Sequence, residues 1–117
     1  MDEVATLQNR LRDFATQRNW KRFHTPKNLS MALAGETGEL LEVFQWVSDQ
    51  ESAQPTEDDL RLAREELADI AIYLLRLADV LNIDLLEAID AKISSNEDKY
   101  PVSLSRGNAI KYNRRKT

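Results

Sequence analysis

The chain has 117 residues with no cysteine, three glycines and three prolines, which fits one domain and excludes disulfide and thiolate-metal chemistry. Its net charge of -4 is split: residues 1–100 carry 20 acidic and 11 basic side chains, whereas residues 101–117 carry five basic and none acidic. The basic end suggests a polyanionic partner, but the acidic body disfavours docking on DNA as a whole. With no membrane-length apolar run and no signal peptide at the start, a soluble cytoplasmic protein is expected.

Four helices are predicted from apolar spacing, and no segment alternates with the period of a half-buried strand, so the expected fold class is all-α. Val4, Leu7, Leu11 and Phe14 form one stripe of a first helix that fades at Asn19 and Trp20. Thr25 offers a cap and Pro26 a first helical position, where the missing N–H costs nothing; the second helix runs to about Val47. Residues 49–57 are polar, contain Pro55 and read as a loop. Thr56 and Asp59 then have capping-box spacing and open a third helix from about Glu57 to Leu81. Asp84 and Glu87 repeat that spacing ahead of Leu85, Leu86, Ile89 and Ile93, a fourth helix ending near Lys99. Beyond Pro101 the chain holds Ser103, Ser105, Gly107 and Asn108 without a sustained period and reads as an extended tail.

The anomaly is in the middle two helices. On the second, Leu29, Leu33, Leu40, Val43 and Val47 share a stripe with Glu36 at its centre and Glu39 at its edge. On the third, Leu62, Ala63, Ile70, Tyr73 and Leu77 share a stripe with Glu66 central and Asp69 one turn later. Carboxylates taken out of water cost several kcal/mol each (roughly) unless compensated, and no Lys or Arg in these stretches is placed on the stripe. A hard divalent cation, Mg²⁺ or Mn²⁺, is the natural compensation. Zinc and a di-iron bundle are disfavoured, because there is no cysteine and His24 stands alone. Glu42, Asp49, Glu51, Glu65 and Asp79 read as charged surface. Trp20, Phe23, His24 and Trp46 offer the flat surfaces that base recognition needs, or else ordinary burial and bracing of a helix cap.

Glu36-x-x-Glu39, a gap of 26 residues and Glu66-x-x-Asp69 resemble the signature of the MazG-like all-α nucleoside triphosphate pyrophosphohydrolases. The stretches FHTPKNLSMALAGETGELLEVFQW, EELADIAIYLLRLA and KISSNEDKYPVSLSRGNAIKY look most similar to the dCTP pyrophosphatase branch. The resemblance runs from about Leu11 to Tyr112. It implies hydrolysis of a (d)NTP to the monophosphate and pyrophosphate with Mg²⁺, acting on dCTP or modified dNTPs in nucleotide-pool cleaning. It implies Glu36, Glu39, Glu66 and Asp69 as metal ligands; a carboxylate would act as base on the attacking water, and Glu36 is the candidate taken for it, although spacing does not separate a ligand from a base. His24 and Trp46 match positions around the family's nucleotide pocket; from position alone, Trp20 is a further candidate for the base, and Tyr73, one turn beyond Asp69, can reach substrate with its hydroxyl or fill the core. Lys92, Asn96 and Lys99, on one face of the fourth helix, resemble its phosphate and sugar contacts. Ser105, Arg106, Lys111 and Tyr112 fall in the matching ending, which looks like a flap bringing cations to the phosphates. Where mammalian members of that branch carry a base-holding histidine on the first helix, this chain has Leu11.

The expected organisation is one MazG-like domain over residues 1–117, with a helical core at about 2–99 and a tail at about 101–117. From Leu67 to Leu75 the third helix is apolar almost all round, which one short chain cannot cover, so a homo-oligomer is expected; the resemblance implies a dimer or a homotetramer built as a dimer of dimers. Arg114, Arg115 and Lys116 lie beyond the resemblance and read as a disordered basic end. No membrane or nucleic-acid partner is expected. Two alternatives stay open: the same chemistry on dUTP or another noncanonical nucleotide, and a non-enzymatic helical assembly module whose basic tail binds nucleic acid. The second would show steeply salt-dependent DNA binding without a metal requirement.

Overall fold

The computed structural model describes residues 2–115, and among them there is no strand. Six α-helices follow in order: α1 Glu3–Gln17, α2 Pro26–Phe44, α3 Asp49–Ala53, α4 Glu57–Val80, α5 Leu85–Lys99 and α6 Val102–Ser105. Short 3₁₀ turns occupy Lys21–Phe23 and Tyr112–Arg114. The chain divides into two compact units, residues 1–83 and 84–117. No helix is long and apolar enough to cross a membrane.

In the first unit the helix starts follow local chemistry. Asp2 accepts from the Ala5 N–H at 2.7 Å, Thr25 from the Asn28 N–H at 3.2 Å with Pro26 in the first turn, and Thr56 from the Asp59 N–H at 3.1 Å. Both α1 and α4 end the same way. Asn19 (φ 55°) and Asn82 (φ 58°) take the left-handed conformation, and the next N–H reaches back, from Trp20 to the Ala15 carbonyl and from Ile83 to the Ala78 carbonyl. This reversal satisfies carbonyls that the helix end would otherwise orphan. It also fixes where Trp20 leaves α1.

Two boundaries differ from expectation. The second helix stops at Phe44, short of Val47, and the expected loop over 49–57 contains α3. Ser48 caps it: its Oγ accepts from the Glu51 N–H and the Glu51 carboxylate accepts from the Ser48 N–H, both at 3.1 Å. Glu51 is therefore a capping group and not simply surface charge, and this partnership holds its carboxyl below the usual range.

Helix α4 packs chiefly against α2 and, on another side, against α1. Leu29, Ala15, Ala63 and Ala78 form the buried centre, with Leu33, Leu40, Val43, Ile70 and Leu77 half-buried around it. Of the predicted inward stripe of α4, Ala63, Ile70 and Leu77 are covered, whereas Leu62 is exposed and Tyr73 lines a cavity beside α1. Another side of α4 stays open, with Leu67 55 % exposed and Leu74 also exposed.

Packing on two sides of α4 corrects two expectations. Arg76 is buried, 6 % exposed, so a basic residue does share the inward side. Asp79 is not surface charge: it accepts from Arg12 Nη2 at 2.6 Å and Nε at 3.1 Å, and from Arg76 Nη1 at 3.0 Å. Helical phase turns Asp79 away from α2, but α1 covers that side. The Arg12 hydrogen bonds are the largest cause holding the Asp79 carboxyl below its usual range. A depressed acid stabilises the fold above the unfolded carboxylate pKa and loses that contribution as pH falls through its folded value. Asp79→Asn is expected to cost about 1–2 kcal/mol at neutral pH, chiefly by leaving the buried Arg76 without its carboxylate, since the Arg12 side of the pair is solvent-screened. The difference from wild type should shrink on acidification below about pH 4. Paired denaturant melts at neutral and acid pH check both; an unchanged neutral midpoint would remove the network's structural role.

In the second unit, Asp84 caps α5 by accepting from the Glu87 N–H at 3.1 Å. The expected extended tail instead contains α6 and the Tyr112–Arg114 turn. Gly107 sits between them at φ 79°, a conformation that glycine adopts without steric cost. Tyr100 and Tyr112 meet edge to face at 6.0 Å, and Arg115 Nη1 donates to the Lys99 carbonyl at 2.6 Å. Arg115 is thus tied down; Lys116 lies outside the described residues.

Candidate active site

Where α2 meets α4, Glu36, Glu39 and Glu66 bring carboxylate oxygens within 4.8 Å of one another. Glu36 and Glu66 are half-buried and Glu39 is exposed, so the cluster has an apolar back and a wet front. Glu36 Oε2 and Glu66 Oε2 are buried without a hydrogen-bond partner among the described residues. As ionised groups neither can donate to the other. The adjacent Glu36 carboxyl is the largest cause raising the Glu66 carboxyl to about 7, ahead of desolvation and then the proximity of Glu39. Buried acceptors with no donor are what a hard cation satisfies, so the residues present fit a divalent ion with oxygen ligands.

Asp69, one helical turn beyond Glu66, lines a cavity of about 630 Å³. Its apolar walls come from Leu7, Leu11 and Phe14 of α1 and Ala68, Ala71 and Ile72 of α4; Trp20, His24 and Tyr73 add aromatic surface. Trp20 packs edge to face on Phe14 at 5.7 Å. A slot with flat aromatic walls and few polar groups suits a planar heterocycle. His24 does not brace a helix cap with its ring: its Nδ1 accepts from Arg76 Nε at 3.0 Å.

The remaining candidates are placed as follows. Trp46 is 87 % exposed and outside the cavity lining, so within this chain it is not a buried core residue. Phe23 is exposed beneath the Arg22 guanidinium. In the second unit Lys92 and Asn96 are exposed on α5, as are Arg106 and Lys111 beyond it. Lys99 lies with its ammonium 5.0 Å from the Tyr112 ring centre, a cation–π distance. The Ser105 hydroxyl is buried without a partner among the described residues. Arg76, Arg10 and Phe14 line the cavity without having been singled out in the sequence. The available signal was position: Arg76 falls three residues after Tyr73 and so shares its side of α4.

Three comparisons bear on this arrangement. Residues 32–114 match the MazG-like family. The chain is 48 % identical over 103 residues to dCTP pyrophosphatase 1 of Mus musculus and 41 % identical over 102 residues to dCTP pyrophosphatase 1 of Homo sapiens. Each alignment takes in 86 % of this chain and 60 % of the relative, so the chain spans about 60 % of the length of these curated relatives. A crystal structure of a pyrophosphatase from Archaeoglobus fulgidus shares the fold with a TM-score of 0.81 at 42 % identity, covering 86 % of this chain and 94 % of that one.

Proposed function

The chain belongs to the MazG-like family, and from that membership and the carboxylate cluster we propose a Mg²⁺-dependent nucleoside triphosphate pyrophosphohydrolase. The reaction is (d)NTP and water to (d)NMP and pyrophosphate. The observation that carries the reading is the pair of buried, unpartnered oxygens on Glu36 and Glu66 beside Glu39, on a helix whose Asp69, one turn beyond Glu66, lines an aromatic cavity.

Glu36, Glu39 and Glu66 would hold the cation, with Asp69 extending the acidic edge toward the cavity. The bound ion would neutralise phosphate oxygens and lower the pKa of water at the site. The chain's own residues do the rest. Glu36 is assigned as the base that takes the proton from the attacking water; Mn²⁺ is an acceptable substitute ion by the same oxygen chemistry. Trp20, His24 and Tyr73 are assigned to the base and sugar, and the apolar walls exclude water around them. Lys92, Asn96, Lys99, Arg106, Lys111 and Tyr112 are assigned to phosphate and sugar contacts by resemblance, and Trp46 to the nucleotide pocket. The open apolar side of α4 at Leu67 and Leu74 supports a second copy covering it, in a dimer or tetramer.

The names of the curated relatives point to dCTP as substrate. Leu11, on the cavity wall, cannot donate or accept a hydrogen bond and favours tolerance toward other or modified pyrimidines. A panel of triphosphates with Mg²⁺, ranked by kcat/KM, tests this. The reading expects dCTP or its 5-modified forms at the head. A clear lead for dUTP would move the assignment to another noncanonical substrate.

A further inference from the structure

Arg76 is buried, and its guanidinium has two partners: Nη1 donates to Asp79 Oδ2 and Nε donates to His24 Nδ1, both at 3.0 Å. Arg12 grips the same carboxylate from α1, so Arg76 cannot swing away without leaving Asp79 and its own charge poorly paired. A guanidinium is always protonated and only donates. The His24 nitrogen that accepts from it must be bare. In a neutral imidazole the proton then lies on the other nitrogen, Nε2. His24 lines the cavity, and among the described residues no other hydrogen bond reaches its ring.

We propose that Arg76 is a positioning residue that locks His24 as the neutral Nε2–H tautomer, making it a hydrogen-bond donor to an acceptor on the ligand in the cavity. The acceptor chemistry is a carbonyl oxygen or bare ring nitrogen of a nucleobase. Only that ligand identity rests on the function proposed above; the tautomer lock does not. A pocket with this donor favours bases presenting an acceptor and disfavours those presenting an N–H, which would meet an N–H. Desolvation, then the Arg76 charge, hold the His24 pKa below its usual value, so the ring stays neutral at working pH. The other titratable groups on the cavity wall are Arg10, Asp69 and Tyr73, while Arg12 and Asp79 stand behind Arg76.

His24 is the only histidine in the chain, so ¹⁵N labelling of histidine in this chain gives one pair of ring-nitrogen resonances. Near neutral pH the wild type should show a proton on Nε2 and a bare Nδ1. Arg76→Met should exchange between both tautomers and titrate nearer the ordinary value of about 6.5. Adding dCTP with Mg²⁺ should shift the Nε2–H signals. In the variant, KM for dCTP should rise about tenfold while kcat falls far less, since the bond is made in the bound ground state. A wild-type ring protonated on Nδ1 would overturn the proposal without any variant having to fold. So would an Arg76→Met ring that keeps the single Nε2–H tautomer, or Nε2–H signals unmoved by saturating dCTP in an active enzyme. A protein that hydrolyses no triphosphate but shows the Arg76-dependent tautomer would instead remove the functional reading and support the lock.

Discussion

Glu66→Gln is expected to lower turnover at least about 100-fold, because on the proposed reading it removes a direct ligand, a loss that should exceed the 10- to 100-fold cost of losing a ligand's supporting hydrogen bonds. Above about pH 7 the same change should make the protein more stable in buffer free of divalent cations. With Glu36, Glu39 and Glu66 within 4.8 Å, three carboxylates ionised at that pH repel one another, and an amide at position 66 removes one charge and supplies a donor to the unpartnered Glu36 Oε2. Mg²⁺ should raise the melting temperature of the wild type, as any ligand of the folded state does, and leave that of the variant nearly unmoved. Opposite signs for activity and cation-free stability separate a functional cluster from a structural one. A variant that stays active, or that melts lower without cations above about pH 7, would remove the carboxylates from the role assigned to them.

A second large effect follows from the proton on the same cluster. The Glu66 carboxyl, raised to about 7 first by the adjacent Glu36 carboxyl and then by desolvation, holds a proton in the folded state where the unfolded chain has released it. Between the ordinary carboxylate value of about 4.3 and about 7, the native state therefore binds more protons than the unfolded one, and cation-free stability falls as pH rises. A cation must displace that proton. Apparent Mg²⁺ affinity should weaken about tenfold for each pH unit below about 7, with close to one proton released per ion. Calorimetric titration in two buffers of different ionisation enthalpy reads the released proton directly. Affinity independent of pH between about 5.5 and 7 would contradict a cation displacing a proton from Glu66.

Much of the fold and the acid pairs could be read from one sequence because both are local signals. Thr25, Thr56 and Asp84 cap the helices they were expected to cap, and Glu36 and Glu66 come together because α2 and α4 each bury one side. Helix α3 escaped notice because five residues carry no apolar period, although the Ser48 to Glu51 spacing announced its start. The Arg12–Asp79 pairing could not be read at all: its partners are 67 residues apart, and helical phase describes the side of α4 facing α2 but not the side α1 covers. Arg76 was passed over for a related reason. A basic residue at the edge of an apolar stripe reads as surface until its carboxylate and imidazole partners are in place. The cavity is a product of that same third contact, with the turn at Asn19 carrying Trp20 onto its wall.

The most direct test is the identity of the phosphorus products when the full chain acts on dCTP with Mg²⁺, followed by ³¹P NMR. Hydrolysis between the α and β phosphates predicts dCMP and pyrophosphate appearing together in equal amounts, and neither when the cation is chelated. Orthophosphate released with dCDP, or product formation that continues without a divalent ion, would contradict it.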